Sequence, residues 1–114
     1  MPIKNNTKNT IISDNFKICT SIISKTIGLM FSKKNDISLI FYFRKETMIP
    51  IHMLFVFYPI DLLYLDKNKK VIEIKENLKP FSFYNPKNKA MYVIETTVYN
   101  IKKTKTTIND QIYF

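Results

Sequence analysis

The chain has 114 residues, 46% hydrophobic and 24% charged, with a formal net charge of +9. That balance excludes an intrinsically disordered chain and leaves room for one globular domain rather than two. The charge is spread over both halves, eight cations against three anions in residues 1–57 and ten against six in residues 58–114, so no basic tail stands out.

In chain order, residues 1–15, "MPIKNNTKNTIISDN", lack both the apolar run and the small-residue cleavage site of a secretory leader. They read as a polar, flexible lead-in to a single domain spanning 16–114. Phe16–Cys19 fits a short strand. Cys19 is the one cysteine, so no intramolecular disulfide can form, which suits a reducing, cytoplasmic setting. Thr20 or Ser21 can cap a brief helix that stops at Gly28, where the chain's one glycine serves as a left-handed cap.

"ISLIFYF" (37–43) is a continuous apolar run of strand length, followed by the charged loop "RKE" (44–46). Met48–Leu65 carries charge-bearing groups only at His52 and Asp61 and approaches the length of a membrane-spanning helix. Pro50 and Pro59 would break that helix, and Asp61 within hydrocarbon would cost about 2.5–3.5 kcal/mol. The β-branched and aromatic residues predict instead two short strands, 51–57 and 60–65, bent at Tyr58–Pro59 and apolar on both faces, hence covered by another layer. Asp66 then shapes the turn "DKNKK" (66–70), and "VIEIKEN" (71–77) alternates as a half-buried strand, closing a hairpin.

"LKPFSFYNPKNKA" (78–90) reads as a long ordered loop anchored by Phe81, Phe83 and Tyr84. "MYVIETTVY" (91–99) reads as a strand, "NIKKTKT" (100–106) as an exposed basic stretch, and "IYF" (112–114) as a closing strand. Together these predict a mainly β fold, an antiparallel β-sandwich or barrel-like single domain with one or two short helices.

The candidate chemistry is sparse. His52 is the only histidine, so no histidine-based metal site forms and no metal is expected. Phosphate loops, dinucleotide fingerprints and nucleophile elbows are absent, partly for want of glycine, and no cofactor is implied. Cys19 with His52 lacks an orienting third group. Asp61 and Asp66, five apart on a strand, point to opposite faces and cannot work as an acid/base pair. Asp61 and Glu95 both lie among apolar neighbours, and a buried carboxyl must find a partner.

The residues therefore favour a non-enzymatic binding or interaction module, with a pocket near His52, Met53 and Asp61 and no catalytic group assigned. Its partner would be an acidic protein or a small ligand. The alternative is a small hydrolase-like enzyme pairing His52 with Asp61 or Glu95. A second alternative is weak nucleic-acid or phosphate-backbone contact by Lys67, Lys69, Lys70, Lys102, Lys103 and Lys105. Nucleic acid is disfavoured, since such readers concentrate Arg and aromatics and Arg44 is the one arginine here.

The ordered set "KTIGLMF", "LIFYF", "IHMLFVFYPIDLLYLDKNKKVIEI", "LKPFSFY", "NKAMYVIE" and "INDQIYF" resembles the domain of unknown function 192 family, in its archaeal branch, over residues 16–114. The resemblance implies a small, mainly β domain of sandwich-like architecture with no established biochemical activity. Matching positions are Gly28, Leu29, Met30, His52, Met53, Pro59, Asp61, Asp66, Pro80 and Glu95. Bacterial members tend to read Trp-Met-Lys-Asn-Thr where this chain has His52-Met53-Leu54-Phe55-Val56, an apolar replacement of a polar surface. Where the family often places glycines in its C-terminal part, this chain has Tyr99 and Asn109, and asparagine tolerates a left-handed turn.

Overall fold

The computed structural model describes residues 2–19, 37–53 and 58–114, and for Ile37 and His52 the backbone alone. The helix expected over 21–27, with Gly28, Leu29 and Met30, and the end of the predicted strand 51–57 lie outside the described residues.

The centre is a five-stranded sheet built from β3 (Asn15–Cys19), β4 (Ile37–Thr47), β9 (Ala90–Thr97), β6 (Ile60–Leu65) and β7 (Val71–Leu78), in that spatial order. Every residue of β6, Ile-Asp-Leu-Leu-Tyr-Leu, is buried. Side chains alternate across a strand, so a strand buried at every position must be covered on both faces. Ile60, Leu62 and Tyr64 join a cluster with Leu39, Ile51 and Met53. Leu63 and Leu65 join a second cluster with Ile3, Ile12, Ile101 and Ile112.

Among the described residues, the cover on the first face includes the two-residue ladder of β5 (Ile51–His52) and β8 (Phe83–Tyr84). The cover on the second is a three-stranded sheet of β1 (Ile3–Asn5), β2 (Thr10–Ser13) and β10 (Ile112–Tyr113), together with α1 (Asn100–Thr104). The fold is thus mainly β and sandwich-like, as the short apolar runs predict. β4, β9, β6 and β7 pair antiparallel, whereas β3 pairs parallel to β4, making the sheet mixed.

Four local expectations are corrected. Residues 3–13 form β1 and β2 rather than a flexible lead-in, because a buried polar network fastens them to the other end of the chain. Asn5, fully buried, donates from Nδ2 to Thr106 Oγ1 (3.0 Å) and Asp110 Oδ2 (2.8 Å), and Lys8 Nζ pairs with Asp110 at 2.8 Å. The stretch 100–106 begins with the short helix α1, which buries Ile101 and Thr104 and exposes Lys102 and Lys103, so its basic composition conceals an amphipathic turn. Of the three anchors expected in the 78–90 loop, Tyr84 packs against the core, as do Leu78 and Ala90 at the ends of the stretch. Phe81 and Phe83 are 61% and 69% exposed, and "RKE" continues β4 rather than forming a loop.

Candidate functional site

The residues singled out in the sequence fall on different faces. Asp61 and Leu63 share one face of β6, and Leu62 and Tyr64 the other. Asp61 is fully buried, yet both its oxygens are taken: Oδ1 accepts from the Asn77 amide at 2.8 Å and Oδ2 from the Ile101 amide at 3.1 Å. Burial pushes its carboxyl above the ordinary range, opposed by those backbone donors. Its chemistry is structural, tying the end of β7 and the start of α1 to β6.

Met53 lies on the opposite side, fully buried in the first cluster. Its amide donates to Ser82 O (2.6 Å) and its carbonyl accepts from the Phe81 amide (3.0 Å), fastening β5 to the turn before β8. The His52 backbone pairs with Phe83 in that ladder. The sheet therefore separates Asp61 from Met53, and the three residues expected to share a pocket do not all line one.

Glu95 belongs with Met53. It pairs across the sheet with Leu39 on one side and Leu62 on the other, both members of the first cluster. Only 3% of Glu95 is exposed, and among the described residues neither carboxyl oxygen has a hydrogen-bond partner. Desolvation alone pushes its pKa well above the ordinary carboxylate value, favouring the neutral form. A second carboxyl on this face, Glu73, has the opposite fate. Burial raises it, but the Tyr84 hydroxyl, the Lys87 and Asn88 amides and the Asn88 side chain donate to it and hold it below the usual range. Tyr64, fully buried beside it, donates to Ile49 O at 2.9 Å, and burial raises its hydroxyl well above the ordinary tyrosine value.

Among the described residues, two further family-matching positions, Asp66 and Pro80, serve turns. Asp66 Oδ1 accepts from the Asn68 (2.8 Å) and Lys70 (3.0 Å) amides, closing the β6–β7 turn. Pro80 precedes Phe81, whose φ of 62° is the left-handed value that the third position of a type II turn requires. Pro59, half-buried, leads into β6.

The six lysines divide into two groups. Lys67, Lys69 and Lys70 follow Leu65 at one end of β6, whereas Lys102 and Lys103 sit on α1, which starts against Asp61 at the other end, roughly 17 Å away at about 3.3 Å per residue. Lys69 is engaged, its ammonium 4.0 Å from the centre of the Phe114 ring and 3.2 Å from Phe114 O. Lys105 closes the C-terminus of α1 in a left-handed conformation.

A groove that the sequence reading missed lies at the edge of the second face. It is a cavity of about 390 Å³ between β2, the end of β9 and the start of α1, lined by Ile11, Asp14, Tyr99, Asn100 and Lys103 among others. Its walls come from segments more than eighty residues apart, so no local spacing announces it. Among the described residues no three His, Cys, Asp or Glu side chains gather into a metal-ligating group, and no helix is long and apolar enough to cross a membrane.

Comparison with known proteins gives a consistent family. The model for DUF192, described as "Uncharacterized ACR", matches residues 3–114, a span that includes β1 and β2. A UPF0127 protein of Pyrococcus horikoshii is 39% identical over 95 residues, covering 82% of this chain and 81% of its own. Among solved structures, a protein of unknown function from Novosphingobium aromaticivorans superimposes with a TM-score of 0.86 at 16% identity, over 100% of this chain and 84% of that one. A Sinorhizobium meliloti protein, named as a proposed transcription regulator, gives a TM-score of 0.85 at 18% identity, over 98% of this chain and 89% of that one. At such identities the two structures share the fold alone.

Proposed function

This chain belongs to the DUF192 family, and from that premise we propose that it is a non-enzymatic binding module that takes a small ligand on the sheet face carrying Glu95 and Met53. One observation carries the reading: Glu95 is buried with both oxygens unpartnered. A buried polar group without a hydrogen bond costs on the order of 1–3 kcal/mol, and a fold that keeps one has a use for it. A neutral carboxyl offers one O–H donor and one carbonyl acceptor. The ligand it suits is a mainly apolar molecule with an amide-like edge that donates and accepts side by side, set among Leu39, Leu62 and Met53. The cover on this face supports the reading too, because β5 and β8 are two residues each and can part at lower cost than the central sheet.

The hydrolase alternative draws less support. Asp61 has both oxygens committed to main-chain amides, and burial disfavours the ionised form of Glu95, so neither is placed as a general base for His52. The phosphate-contact alternative is weakened by the separation of the lysines. Native mass spectrometry of the gently purified protein tests the binding reading. We expect reproducible small-molecule mass on the wild type, lost in Glu95→Leu, which fills the same space without the polar anchor. A bare wild type, or a Glu95→Leu protein that keeps the same mass, would overturn it.

A further inference from the structure

The groove on the second face has features the core site does not explain. Asp14 and Lys103 both line it and both are exposed. Neither takes part in any ion pair or side-chain hydrogen bond among the described residues, where the ion pair present is Lys8 with Asp110. Two opposite charges in one groove that do not neutralise each other leave a dipolar field across it. A simple anion would meet Asp14, and a simple cation would meet Lys103. A molecule carrying both charges satisfies each.

The apolar lining fits the same kind of molecule. Ile11 and Tyr99, 55% and 65% exposed, put apolar surface in the same groove as the two charges. Tyr99 is held at φ 74°, ψ −2°, a left-handed conformation that costs a bulky residue about 1–2 kcal/mol. The walls are fastened together: Asn100 Nδ2 donates to Ile12 O and to Thr96 Oγ1, both at 2.8 Å, joining α1 to β2 and β9. The cavity of about 390 Å³ is therefore pre-formed and within the range of small-molecule sites.

We infer that this groove binds a small dipolar molecule bearing an ammonium and a carboxylate, of the amino-acid or dipeptide type, with Asp14 meeting the ammonium, Lys103 the carboxylate, and Ile11 and Tyr99 the apolar part. The site lies across the five-stranded sheet from Glu95 and stands or falls independently of the reading above.

The test is an amide chemical-shift titration of the full chain by NMR with L-phenylalanine and L-alanyl-L-phenylalanine. Phenethylamine, which lacks the carboxylate, and 3-phenylpropionate, which lacks the ammonium, are the comparisons. At least one dipolar probe should give saturable shifts confined to residues 11–14 and 97–103. Both single-charge analogues should bind at least about tenfold more weakly, as should either dipolar probe to Asp14→Asn or Lys103→Gln. Both side chains are exposed and unpaired, so the variants should keep the wild-type spectrum elsewhere. Absence of shifts in those segments, equal binding of a single-charge analogue, or unchanged binding by both variants would overturn the proposal. Shifts around Glu95 instead would bear on the core site and leave this one refuted.

Discussion

Single residues set how stability depends on pH. Glu95 has its pKa raised above the ordinary 4.5. Below about that pH the carboxyl is protonated folded and unfolded alike, and no proton linkage weakens folding. As pH rises, the unfolded chain gives up the proton while the folded chain keeps it, so stability falls until the folded pKa is reached. Asp61 is shifted in the same direction. Glu73 and Asp110 are lowered, so the stability they contribute is present above their ordinary values and lost on acidification. Urea denaturation across pH 3–9 should therefore show Glu95→Gln flattening the decline above pH 4.5 while leaving the acid limb. An unchanged profile would mean that Glu95 is ionised. Asp61→Ala should cost about 2–4 kcal/mol, since it orphans the Asn77 and Ile101 amides. It should leave the core ligand bound, because it acts on the other face. Left-handed positions give a third expectation. With one glycine in the chain, such turns fall to Asn9, Asn77 and Asn109, but also to Tyr99. Replacing Tyr99 with glycine should raise stability by about 1 kcal/mol, read from the same denaturation midpoints.

At the scale of elements, the ends of the chain hold one another. β1 pairs with both β2 and β10, and Asn5 and Asp110 join the two termini through buried hydrogen bonds. Asn5→Ala should cost about 2–3 kcal/mol by urea denaturation, whereas a flexible lead-in would register no change. The β5–β8 cover should differ from the sheet it lies on: amide exchange at Ile51 and Tyr84 should run well ahead of exchange at Ile94. These elements differ in how far the sequence reveals them. The β6–β7 hairpin is plain in "IDLLYLDKNKKVIEIKEN", where a turn joins two strands of distinct period. β1 and β2 are hidden because Ile3, Asn5 and Ile12 earn their burial from partners about a hundred residues away. α1 is hidden for a related reason, since Ile101 and Thr104 form an inward face too short to show periodicity among lysines. The parallel pairing of β3 with β4 is a choice of neighbour, which alternation along a strand does not encode.

For the whole molecule, the all-buried β6 decides the architecture: a sheet apolar on both faces needs two covers, and the chain supplies a three-stranded sheet with α1 on one and a small ladder on the other. The candidate sites follow from that layering. The sequence marked Met53, Asp61 and Glu95, but only the alternation of β6 and β9 in three dimensions shows that Met53 and Glu95 share a face and Asp61 does not. The groove beside α1 is beyond reach, because Asp14 and Lys103 come to line one groove only after β2 docks on the helix. The binding face depends most on the state of one carboxyl, that of Glu95. Infrared difference spectroscopy at pH 7, wild type minus Glu95→Gln, on ligand-free protein tests it directly. The account predicts a carbonyl stretch in the protonated-carboxyl region at the high-frequency end expected of a group without hydrogen bonds. A difference spectrum showing only ionised carboxylate bands would contradict it.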